Sequence, residues 1–478
     1  RDTDRSRGLG DVYKRQTHSS YKGNLDIMIA EPRTAPALQN GEALGMNFHH
    51  QCHVLRVQVP TGRNQWGENV RKLRIEFPTA VVGKMELDLT DPAAAPILTE
   101  GSNTINIELK KPLIESEEDA VDGCYVWVFL CPTTVNGTIR FTAFDENGYQ
   151  SNSLTTTVNK TMAAGAITPI TLTVPDELPV TWIDFSIIGN NLGENPNSFT
   201  VTAPEGATFR NGTNEQTFTV NSSNTYSLGF YNEIDGVNNG DLIRNGTTTI
   251  TYDSEHAVVS EERQLAFTPN TRSAVNLTVP YLFFEDFSNA AAQDETNDTK
   301  ELDAYNLPGW SGSRFGLQAN TSAMILGYLG SSILTDPDGG DNHRGRLDTP
   351  LLSGLKEGAN VSLRVSYDVG GTKKDGNTIF GKTTVMYAQY GFGTDTKSGA
   401  LSGDDTSIEN VFIDNEEPGT DGSYTNLPVH RDVTVTNCTN KHRLSWRASF
   451  RVNGQGISTI TAGRTYIYID NIKVSIIP

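Results

Sequence analysis

Two stretches of this 478-residue chain gather side chains dense enough to do chemistry. The first is His49-His50-Gln51-Cys52-His53, whose imidazole and thiol donors are of the kind that bind zinc. On a single strand, alternation would put His49, Gln51 and His53 on one face and His50 and Cys52 on the other. Neither face then offers the three or four donors zinc needs, so strand residues are expected there rather than a metal centre. The second stretch, residues 442–452, alternates between Arg443, Arg447 and Arg451 on one face and Leu444, Trp446, Ala448 and Phe450 on the other. The apolar face must be core, Trp446 included. The arginine stripe has two readings: bidentate recognition of carboxylated or sulfated sugars, or cross-strand pairing with Asp or Glu, its commoner fate. Trp310, in a Pro-Gly-Trp-Ser-Gly loop, is expected to be the exposed aromatic of such a ligand site, with core capping as its other role. Asp336 to Asn342 places oxygen donors at alternate positions, as calcium loops do. It lacks the bidentate glutamate of an EF-hand, and a solvated turn is expected.

No catalytic constellation accompanies these residues. The chain has no His-Glu-x-x-His, no Gly-x-Ser-x-Gly elbow and no glycine-rich phosphate loop. Carboxylate pairs abound in a chain with 57 acidic residues, so none stands out as a glycosidase pair. A non-enzyme with no catalytic residue is expected. The formal net charge of −19 is spread along the chain, which argues against nucleic acid or an anionic membrane as partner. No run approaches the ~20 apolar residues of a transmembrane helix. Cys52, Cys124, Cys131 and Cys438 have no framework spacing. Cys124 and Cys131, seven apart on one expected strand, would point to opposite faces, so buried thiols are expected.

The elements that must position these residues are strands. Apolar period two recurs at 54–60, 70–78, 104–110, 125–130 and 137–144, with turn residues at short intervals, the pattern of an all-β chain of tandem sandwiches. Asn147-Gly148 reads as a tight hairpin turn. No segment carries a helical stripe of ten or more residues. Pro175 and Pro179 bracket an extended linker. About a hundred residues of short strands follow it and fit an immunoglobulin-like sandwich without the Cys-Trp-Cys core. Ser6 to Gln16 reads as the translation of a sequencing adapter, so residues 1–16 are expected to be non-native and the true N-terminus to be missing.

Leu25 to Val59 resembles the junction between the two pilin domains of the fimbrillin superfamily of Bacteroidetes-type bacteria. There an Asp-apolar-apolar-x-Ala strand, here Asp26 to Ala30, precedes a Phe-x-His strand, here Phe48 to His50. Residues 161–174 resemble that family's closing strand pair. Residues 281–478 resemble the jelly-roll domains of secreted bacterial proteins, similar to carbohydrate-binding modules and MAM-like domains. The shared positions are Glu285 with Phe287, Leu347 to Pro350, and Asp470 with Ile472 and Val474. The resemblance implies a remnant of an upstream pilin domain at 17–37, a fimbrillin-like sandwich at 38–177, a spacer sandwich at 178–280 and a terminal jelly roll at 281–478. It also implies a structural Ca²⁺ held between Glu285 and Asp470, with Asp286 and backbone carbonyls completing the oxygen shell. If no ion is present, Asp470 accepts backbone amides at a strand end.

The function this implies is a fimbrial tip or accessory adhesin at the cell surface, anchored to the outer membrane as a lipoprotein or within a fimbrium. Its partners would be a glycan, a host or bacterial surface protein, and other pilus subunits. The alternative is a non-catalytic part of a secreted glycan- or peptide-degrading enzyme; a plain structural spacer is a third reading.

Overall fold

Strands form where the two-residue alternation is cleanest, and the layers they build follow from it. The computed structural model describes residues 26–32, 45–113, 125–318, 322–328, 345–374, 385–395, 411–413, 429–453 and 464–478. The adapter-like segment, most of the 17–37 remnant, Cys124 and the Asp336 to Asn342 loop lie outside the described residues, as do the side chains of Arg447 and Arg451.

The first sandwich has a four-stranded layer in the order Leu154–Met162, Thr133–Phe144, Val70–Glu76, Thr104–Leu113. Its second layer has three strands, Ile167–Thr171, His53–Gln58 and Tyr125–Leu130. Alternate residues Leu73, Ile75, Ile105 and Ile107 meet Leu55, Val57, Val126 and Val128 in one core, each fully buried. Burial of each such side chain contributes roughly 1.5–3 kcal/mol. The closing strand Ile167–Thr171 runs parallel to His53–Gln58, so the chain must cross between layers before it leaves. A small hairpin, Val82–Glu86 with Ile97–Ser102, is an addition that period two alone did not point to.

In the second sandwich, Val180–Asn190 lies between Tyr226–Tyr231 and Arg272–Val279, facing a layer ordered Glu215–Thr219, Ser198–Thr202, Thr248–Asp253, Val258–Arg263. Aromatic packing fills the space between its two layers. The Phe199 ring lies 5.0 Å from Tyr226, 5.1 Å from Phe218 and 6.2 Å from Phe185. Such offset and edge contacts add to simple area burial. A seven-residue helix, Asn239–Asn245, is too short to show the stripe sought in the sequence. Asn238 caps it by accepting the Asp241 amide.

The third module is one hydrogen-bonded network of eleven strands among the described residues. As the sequence grammar implied, its opening strand Phe283–Glu285 pairs antiparallel with the closing strand Arg464–Ile477, Glu285 opposite Ile472. The sheet folds back on itself. Tyr367 on Val361–Lys374 touches Phe392 at 5.6 Å and Trp446 at 5.5 Å, although those residues belong to strands far from it in sheet order. Trp446 is fully buried, core as the alternation required.

The second and third modules share a continuous core from Ile183 to Ile476. Leu192 accepts the Ile476 amide at 2.6 Å, and Val258 donates to Gly354 at 2.8 Å. Glu194 receives both the backbone amide and Nδ1 of His256, at 2.9 and 2.7 Å. Gly193, at φ +87°, leaves no space for a side chain against the Ile476 carbonyl.

Candidate functional site

The three histidines of the first stretch part company. A break at Gln51 and Cys52 ends the strand Phe48–His50 before His53–Gln58 begins. Phe48–His50 pairs with Met28–Ala30, so the junction motif folds as a hairpin with Ile29 buried. His49 Nε2 meets Glu31 at 2.9 Å and His50 Nδ1 meets Asp26 at 2.7 Å. His53 is buried: Nδ1 donates to the Ala163 carbonyl at 2.9 Å, which leaves Nε2 to accept the Thr168 hydroxyl at 3.0 Å. Burial, aided by Lys160, holds its ring below the usual imidazole range. Among the described residues, no three of His, Cys, Asp and Glu gather closely enough to hold a metal ion.

The acids of the third module are close enough to feel one another's charge. Glu285 Oε1 accepts the Phe287 amide at 2.7 Å, and Asp470 Oδ1 accepts the Asn471 amide at 2.7 Å. Burial is the first cause that raises both; the charges of Asp286 and Asp470 add to the rise of Glu285, and those of Asp286 and Asp368 carry Asp470 up to about 6. Asp368, which the sequence did not single out, stands opposite Asp470 in register. Its carboxylate is held by Asn471 Nδ2 and His430 Nδ1, both at 2.8 Å. Asp286 accepts the Ser288 amide at 3.0 Å and is lowered by that turn. The arrangement concentrates negative charge where first and last strands meet.

Trp310 corrects an expectation. It is 1% exposed, its ring packed at 5.3 Å from Phe287 and 5.8 Å from Phe283. It caps the core and offers no platform to a sugar, because the loop folds inward over the apolar end of the opening strand. Arg443 is also turned to internal use, donating from Nη1 to the Gly309 and Thr349 carbonyls at 3.1 and 3.3 Å. The acid that meets the arginine face is Asp348, buried beside Arg346 at 2.8 Å and opposite Ser445 in register. Burial pushes its carboxyl up, and Arg346 and Arg443 pull it back. What the structure gives Arg443 is hydrogen bonding to two backbone carbonyls, with Asp348 near enough to feel its charge. Arg447 stands opposite Arg346 and Arg451 opposite Tyr387 in register.

The least expected site is the joint between the first two sandwiches. Residues 175–179 are pinned rather than free: Asn152 donates to the Asp176 carbonyl at 2.7 Å, Leu178 to Gln150 at 3.3 Å, and Ser151 bridges Glu177. Glu177 binds Arg210 Nε and Nη2 in a fork at 2.5 and 2.7 Å. Tyr231 donates to Glu177 at 2.8 Å while accepting the Gln150 amide at 3.0 Å, and burial raises its phenol. The Arg210 guanidinium lies 3.6 Å from the Tyr149 ring centre. Gly148 of the predicted tight turn, at φ +83°, abuts Asn211: a Cβ there would lie 2.5 Å from its carbonyl oxygen. Gly148→Ala is expected to push the two sandwiches apart and to lower the thermal midpoint of the whole chain; an unshifted midpoint would show that the turn is not seated there. Beside the joint lies a cleft of 470 Å³, lined among others by Arg140, Gln150, Asn232, Glu233, Asp235 and Asn270. Asp235 reaches across to Arg74 at 2.5 Å. The cleft offers amides and carboxylates for hydrogen bonding. Composition could not reveal the joint; Asn147-Gly148 and the paired prolines were its only signals.

No protein-family model matches the chain, and no curated protein matches its sequence. Among the solved structures with which the chain aligns in part are pilin and fimbrial proteins. A streptococcal ancillary pilin aligns over 47% of this chain at 14% identity and a TM-score of 0.18; the chain spans 62% of that protein's length. Shaft pilin SpaA of Lactobacillus rhamnosus GG aligns over 47% of this chain and 96% of its own, at 11% identity and 0.20. The tip fimbrial protein Mfa3 of Porphyromonas gingivalis aligns over 45% and 82%, at 11% identity and 0.18. No helix among the described residues is long and apolar enough to cross a membrane.

Proposed function

We propose that this chain is a non-catalytic surface adhesin, a tip or accessory component of a fimbrium, that holds its third module away from the cell to touch a glycan or a surface protein. The observation that carries the reading is the built joint at Glu177, Arg210 and Tyr231, together with the core shared by the second and third modules. A flexible tether needs neither a bidentate ion pair nor a shared core; a stem that must present a head in a fixed direction needs both. The hairpin of Met28–Ala30 with Phe48–His50 supports the fimbrillin-like reading of the first sandwich and, with it, association with other pilus subunits. A jelly-roll character for the third module and a structural Ca²⁺ between Glu285 and Asp470 belong to the same proposal, as does surface anchoring. The test is retention of beads coated with the whole chain on immobilised glycans and extracellular-matrix proteins under flow. Retention above that of beads carrying an unrelated folded β-sandwich supports the proposal. Equal retention on every surface overturns it.

A further inference from the structure

We propose that Cys52 and Cys131 form a disulfide across the three-stranded layer of the first sandwich when the chain folds under oxidising conditions. Cys52 immediately precedes His53, which pairs with Leu130. The antiparallel register carried one residue further sets Cys52 opposite Cys131. Their backbone groups turn away from each other: the Cys52 carbonyl accepts the Gly165 amide at 2.9 Å, and the Cys131 amide donates to Val81 at 2.8 Å. In an antiparallel ladder that is the arrangement of a narrow, non-hydrogen-bonded pair, with Cα atoms about 4.5 Å apart and side chains on one face. Disulfides span Cα separations of roughly 4.4–6.8 Å. Both side chains lie in the core of the first sandwich, 0% and 2% exposed. Each thiol is close enough to feel the other: burial first, then the neighbouring Cys52, push the Cys131 thiol up to about 11. Neither is disulfide-bonded in this structure.

The bond would tie the start of His53–Gln58, where the N-terminal hairpin enters, to the end of Tyr125–Leu130. It closes a long loop, and a cross-link over a long loop removes much conformational freedom from the unfolded chain. The oxidant is a low-molecular-weight disulfide such as oxidised glutathione. One cysteine thiolate attacks it, forming a mixed disulfide and releasing one glutathione thiolate. The second cysteine thiolate then attacks the protein sulfur of the mixed disulfide and releases the other. Two protons leave the cysteines, and two electrons end on glutathione. Because burial keeps the thiolate scarce in the folded chain, the bond forms during folding rather than after it.

The inference is independent of the adhesin reading, since its test needs only the purified chain. The whole chain is unfolded in reductant, refolded in oxidised and reduced glutathione, alkylated and mapped by peptide mass. One cross-link, Cys52 to Cys131, is expected, with an upward shift of the thermal midpoint that reductant reverses after unfolding. A double variant, Cys124→Ser with Cys438→Ala, leaves only the proposed pair and is expected to give the same cross-link. Alkylation of both Cys52 and Cys131 after oxidative refolding, or their linkage to Cys124 or Cys438, overturns the proposal.

Discussion

Arg210→Ala is expected to loosen the first sandwich from the second and to lower stability by about 2–3 kcal/mol. The guanidinium makes two charge-assisted bonds to Glu177 and lies over the Tyr149 ring. Removing it leaves Glu177 with Tyr231 as its side-chain partner in a half-buried place. Breaking a fully buried pair costs about 3–5 kcal/mol, and a partly solvated one costs less. Arg210→Lys keeps the charge but loses the fork, so it should fall between the two. Urea unfolding gives the stability change, and small-angle scattering of the whole chain reads the orientation. A broader distribution of shapes for Arg210→Ala is expected. Scattering and midpoint both equal to those of the parent would reduce the pair to a surface contact and remove the main support for a rigid stem.

Asp470→Asn is expected to stabilise the chain at neutral pH in the presence of a chelator. Asp470 is raised to about 6 by burial and by Asp286 and Asp368, so the folded state resists its ionisation. Between the ordinary aspartate range, near 4, and about 6, rising pH ionises the unfolded chain first and draws the equilibrium toward it. The penalty is complete above about 6 and absent below about 4. Asparagine carries no such penalty and still accepts the Asn471 amide. Its advantage should therefore appear over that window and level off above it, at about 1–2 kcal/mol once the solvent-facing half of the group is allowed for. Calcium provides the second arm. If the ion is held between Glu285 and Asp470, it should stabilise the parent by about 2.7 kcal/mol at a hundredfold excess over Kd, raising its midpoint, and leave Asp470→Asn unmoved. Equal midpoints in calcium and chelator would leave the two acids as strand-end hydrogen-bond acceptors.

Strand identity was legible because it depends on a local quantity, the alternation of apolar and polar side chains. Tyr125–Leu130 occupies the residues the pattern picked out, and the Leu444–Trp446 alternation sent Trp446 to the core. The Asn147-Gly148 turn and the pairing of Phe283–Glu285 with Arg464–Ile477 were legible for similar reasons: a residue that tolerates positive φ, and two signatures that resemble known ends of one domain. Trp310 was misread because a loop's Pro and Gly residues say that the chain turns but not toward which side. Asp348 and Asp368 were missed because an acid's role depends on which strand lies opposite it, and strand order is not local.

The amino-acid sequence by itself determined that this is an all-β chain, where its most regularly alternating strands lie, that its surface is acidic, and which residue types were available for chemistry. Those properties follow from side-chain periodicity and composition, which act within a few residues. Only the tertiary structure decided that Glu177 meets Arg210 and Tyr231, that His53 lies opposite Leu130, and that Ile183 and Ile476 share one core. Each of these joins residues dozens to hundreds of positions apart. Such contacts exist only once sheet order and register are set by the packing of whole layers against each other.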